Sequence, residues 1–114
     1  MDYEDVAKYV IDTGGVTVVE IARLLEESGI NSTGELTLFW PYDPIVIWGN
    51  ASTELMGILQ QLIQDDRIEI TNTQPLTYLI DGVAISLPVA TVNAVERKHK
   101  YKTEHWLPVV FNKA

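Results

Sequence analysis

Apolar residues keep a helical period along the first thirty residues. Tyr3, Val6, Ala7, Val10 and Ile11 form one stripe of an amphipathic helix. Asp2 precedes it as a cap, and Glu4 and Asp5 lie in its first turn, where the helix dipole favours anions. Gly14-Gly15 stops it. A second helix is predicted from Thr17-Val18-Val19-Glu20, a capping box in which hydroxyl and carboxylate each satisfy a free amide. Val16 and Ile21 are spaced as the hydrophobic staple around that cap. Val18, Ile21, Ala22 and Leu25 form the buried face, Leu24 flanks it, and Gly29 followed by Ile30 suits a Schellman exit.

The period then shortens. Residues 36–40 and 45–48 read as two short strands around Pro41-Tyr42-Asp43-Pro44, whose prolines exclude a continuous helix. Phe39, Trp40, Tyr42 and Trp48 make this stretch aromatic; they are expected in the core, or alternatively as a partner-facing patch. A third helix follows from Ser52 or Asn50 to about Gln64. Leu55, Met56, Ile58, Leu59, Leu62 and Ile63 form its apolar face, with Thr53, Gly57, Gln60, Gln61 and Gln64 opposite. Asp65 and Asp66 sit at its C-terminal end, where the dipole disfavours them. Residues 67–71 alternate as a strand, 72–75 read as a loop, and 76–80 as the return strand. After the turn signal Asp81-Gly82, residues 83–87 read as a third strand.

Composition narrows the function classes. The 114 residues fit one domain, and a 46% apolar content is enough for an ordinary core. Without cysteine there is no disulfide framework, no thiolate zinc site and no thiol nucleophile. The longest uncharged run, residues 82–95, is 14 residues, short of the roughly 20 a bilayer span needs. The acidic N-terminus lacks the features of a secretion signal, so a cytoplasmic protein without a membrane partner is expected. No serine sits in a nucleophile elbow and no glycine-rich loop follows a strand. His99 and His105, with Glu104 alongside, lack a further clear ligand. No enzyme activity, cofactor or metal is therefore expected.

Charge adds an asymmetry to the net −8. Residues 1–95 hold fourteen acids against Lys8, Arg23 and Arg67. Residues 96–114 hold Glu96 and Glu104 against Arg97, Lys98, Lys100, Lys102 and Lys113. The cations are interleaved with Tyr101 and followed by Trp106, a combination suited to phosphates and to stacking on bases. The run Trp106-Leu107-Pro108-Val109-Val110-Phe111 is too apolar for water. It is expected to dock on its own domain or, with Trp106, Val109 and Phe111, to form a partner or dimer interface.

The order of three helices and a hairpin resembles a winged helix-turn-helix domain over about residues 2–82. Thr17-Val18-Val19-Glu20-Ile21-Ala22-Arg23-Leu24-Leu25 looks like the second helix of such domains. Residues 59–70 are similar to a recognition helix leading into a wing. The sequence departs from the pattern in one place: residues 30–51 intervene where a few residues usually join the second and third helices. The expectation is an α+β, winged-helix-like domain over residues 1–95, with a short β insert between helices 2 and 3. A basic C-terminal extension, 96–114, follows. The resemblance implies nucleic-acid binding in regulation, DNA or RNA. The third helix would face bases with Gln60, Gln61 and Gln64, while Arg97, Lys98, Lys100 and Lys102 contact phosphates. The alternative is a non-enzymatic interaction or dimerisation module, or a DNA mimic, whose acidic body engages a protein.

Overall fold

Asp2 and Thr17 each close a capping box, and with them the first two helices begin. The structure is a computed structural model and describes residues 1–83, 85–91 and 101–114. Helix α1 spans Tyr3–Thr13 and α2 spans Val18–Glu27. The Asp2 carboxylate accepts from the Asp5 amide at 3.1 Å, and the Thr17 hydroxyl accepts from the Glu20 amide at 3.2 Å. Gly29 has φ 81°, and the Ile30 amide returns to the Leu25 carbonyl at 2.9 Å, the bond that ends a helix in a Schellman turn.

The insert forms strands β1, Thr33–Phe39, and β2, Ile45–Ala51, which pair antiparallel with a shifting register. Trp40, Tyr42 and Trp48 are half-buried and pack against the core. Helix α3, Thr53–Gln64, is capped by the Ser52 hydroxyl, which accepts from the Leu55 amide at 3.1 Å. Asn50 instead takes φ 51°, a left-handed conformation that asparagine tolerates better than most residues.

Two expectations for the second half do not hold. Strand β3, Ile68–Asn72, is present, but residues 76–80 form helix α4, Pro75–Ile80, rather than a return strand. Pro75 occupies the first turn, where a missing N–H costs nothing, and Gly82 at φ 91° lets the chain leave. Residues 83 and 85–87 belong to no strand. The partner of β3 lies much further along: β5, Val109–Lys113, pairs antiparallel from Ile68↔Lys113 to Asn72↔Val109. Val16, between α1 and α2, bridges the other edge of β5 by two hydrogen bonds with Phe111 at 3.0 and 2.9 Å. Strand β4, His105–Trp106, adds in parallel to β2, giving a sheet of order β1-β2-β4.

The fold is therefore α+β, with four helices and five strands among the described residues. The end of the chain is not appended to a finished domain, since β4 and β5 belong to its sheets. Trp106, Tyr78 and Phe111 are the bulkiest fully buried side chains, with Ile21, Leu25, Leu55, Leu59 and Leu62 around them. No described helix is long and apolar enough to cross a membrane.

Candidate functional site

Helix α3 buries Leu55, Met56, Leu59 and Leu62, so its helical period turns Gln60, Gln61 and Gln64 outward, where all three are exposed. Strands β1 and β2 pack on α3 without covering these glutamines. Three amides on one face can donate to and accept from base edges. The helix itself holds no cation, and Glu54 lies in its first turn.

The acids at its C-terminal end have a structural role. The Asp65 carboxylate accepts from the Arg67 guanidinium at 2.7 and 3.0 Å, from the Arg67 amide at 2.9 Å, and from the Tyr3 hydroxyl at 2.8 Å. Arg67 reaches on to Glu4 at 3.0 and 3.1 Å. The Arg67 guanidinium, with the Arg67 amide and the Tyr3 hydroxyl, holds Asp65 well below the usual carboxylate range. Burial first, and then the bond to Asp65, pushes the Tyr3 phenol up. One ion-pair network thus ties the start of α1 to the end of α3 and the start of β3, and pairs Asp65 and Glu4 with Arg67.

Of the expected phosphate contacts, Lys102 is exposed, while Arg97, Lys98 and Lys100 lie outside the described residues. In chain order all four fall between β3 and β5. Tyr101 stacks on His105 with ring centroids 3.8 Å apart, and its hydroxyl accepts from the Thr91 amide at 3.2 Å. Trp106, Val109 and Phe111 do not offer a partner surface in the folded chain. They are 1%, 0% and 0% exposed, because β4 and β5 carry them inside the sheets.

A second surface escaped the sequence reading. Helix α4 is anchored through Tyr78 alone among its buried residues, leaving Leu76, Leu79 and Ile80 exposed at 60%, 57% and 78%. Val83, 44% exposed and just past the helix, lines a cleft of about 440 Å3 with Arg23, Glu26, Trp48 and Asn50. Pro75 followed by apolar residues at 76, 79 and 80 was the available signal, since that spacing is helical. Comparison with known proteins finds no matching family model, no matching curated protein and no matching solved structure.

Proposed function

We infer that the chain is a winged-helix-like protein that binds nucleic acid through α3 and the β3–β5 connection. The observation that carries this reading is the β3–β5 pairing: with β5 as the return strand, the connection whose sequence includes Arg97, Lys98, Lys100 and Lys102 would take the part of the wing. The sheet order Val16–β5–β3 and the succession α1, Val16, α2, α3, β3, β5 support the scaffold. The outward glutamines of α3 support a base-reading role, since a glutamine amide can pair in two places with adenine.

The acidic body dictates how such binding works. Affinity for a polyanion comes largely from cations on phosphates, and α3 has none. The wing cations have to supply that attraction, while α3 contributes selectivity. Arg67 assists by neutralising acids beside α3 and is itself engaged there.

Selection from a random duplex pool tests the base-reading part. An enriched motif is expected, and it should disappear when Gln60, Gln61 and Gln64 all become alanine. Equal, motif-free recovery with both proteins contradicts the reading.

A further inference from the structure

Helix α4 is held from one side only. The buried Tyr78 hydroxyl donates to the Val109 carbonyl at 2.6 Å and accepts from the Val18 amide at 3.2 Å, which locks the helix against β5 and the start of α2. The Thr17 hydroxyl donates to the Asp81 carboxylate at 2.5 Å, and the Arg23 guanidinium donates to the Asp81 carbonyl, fixing the helix exit. The helix therefore presents Leu76, Leu79 and Ile80 to solvent at positions i, i+3 and i+4, and Val83, just past the helix, is exposed as well. Isolated exposed apolar residues are ordinary, but a contiguous stripe joined to a cleft marks an interaction site. Val83 makes the join, and the cleft adds the half-buried Trp48 beside Leu55 and Ala22.

Charge selects the occupant. Asp81 caps α4, Glu20 lies in the first turn of α2, and Glu26 lines the cleft. Among the described residues at this surface, Arg23, bonded to the Asp81 carbonyl, offsets one of these three negative charges. Acids therefore outnumber cations among the described residues of this face, on a chain of net −8, so two copies of it would meet with like charges opposed. A cationic partner meets no such penalty. We propose that the α4 stripe and the adjoining cleft dock a cationic amphipathic helix of another protein, its apolar side on Leu76, Leu79, Ile80 and Val83. This surface shares no residue with the glutamine face or the wing cations, so the inference stands apart from the nucleic-acid reading.

The experiment uses the full chain and two synthetic helical peptides with the same leucine face, one with lysine and one with glutamate on the polar side. Isothermal titration of the lysine peptide should show saturable binding that weakens about tenfold or more in Leu79→Asp and Ile80→Asp. The two variants make the surface more acidic, so attraction by charge alone predicts unchanged or tighter binding, and that result overturns the proposal. Equal binding of the glutamate peptide also overturns it. So does a wild-type dimer in light scattering that the variants abolish, which would assign the stripe to a second copy. Amide chemical shifts of the wild-type chain give a readout independent of variant folding. Perturbation at residues 76–83 and in the cleft is expected, and perturbation confined to other surfaces overturns the proposal.

Discussion

The Tyr78 hydroxyl donates a 2.6 Å hydrogen bond to the Val109 carbonyl, joining a helix to a strand thirty-one residues further along the chain. The same oxygen accepts from the Val18 amide, so one buried side chain fastens α4, β5 and the first turn of α2. Its ring sits 5.2 Å from Trp106 in an edge-to-face contact and 5.7 Å from Trp48. The phenol is pushed above its usual range by this burial, so it remains a neutral donor at physiological pH.

Tyr78→Phe keeps the ring and leaves two buried backbone groups without a partner. A loss of about 1–3 kcal/mol of stability is expected, since unsatisfied buried groups cost their desolvation. Tyr78→Ala adds a cavity and should cost about 3–5 kcal/mol, the range for deleting a buried aromatic ring. Urea denaturation of both variants checks the order; a Phe variant as stable as the wild type would remove the hydroxyl from the account.

Asp65 makes stability depend on pH in a defined direction. Its carboxylate is held below the range of an unfolded chain, chiefly by the Arg67 guanidinium, so folding favours the ionised form. The contribution is complete above the unfolded value of about 3.9 and fades as the pH falls towards the lower folded value. Urea midpoints measured between about pH 2 and 6 should drop with acid. Asp65→Asn should lower the midpoint near neutrality and flatten that acid slope; parallel curves for the two proteins would exclude Asp65 as a source.

Gly34 of β1 lies close against the end of β2. A Cβ there would meet the Ala51 carbonyl oxygen at 2.7 Å and the Ser52 Cα at 2.9 Å. These are backbone atoms next to the α3 cap, so they cannot swing aside as a side chain can. Gly34→Ala should destabilise by about 1–3 kcal/mol, as overpacking does. Thermal unfolding tests this, and an unchanged midpoint would mean that the insert shifts freely against α3.

Local signals were legible where the energetics are local. The capping boxes at Asp2 and Thr17, the Gly29–Ile30 exit and the apolar stripes of α1, α2 and α3 lie where their residue types dictate. Asp65 could not be explained from the helix dipole alone, because Tyr3, Glu4 and Arg67 approach it only in three dimensions. The strand expected at residues 76–80 failed because Leu-Thr-Tyr-Leu-Ile carries aromatic and β-branched residues that favour strands. Tertiary anchoring of Tyr78, together with Pro75, outweighed that preference. The true partner of β3 begins thirty-seven positions after it ends, at Val109, and no short-range pattern encodes such a pairing. That one displacement also moved the cations: with a local hairpin they formed a tail, and with β5 as the return strand they fall in the connection.

Fluorescence anisotropy with labelled duplex and single-stranded DNA, titrated across salt, tests the central claim most directly. The wild-type chain should bind at low salt and weaken steeply as salt rises. With Arg97, Lys98, Lys100 and Lys102 changed to alanine, the slope of log affinity against log salt should flatten by about 3 to 4 units, near one unit per lost phosphate contact. No binding at low salt, or a slope unchanged by the four substitutions, would contradict the assignment of α3 and the β3–β5 connection to nucleic acid.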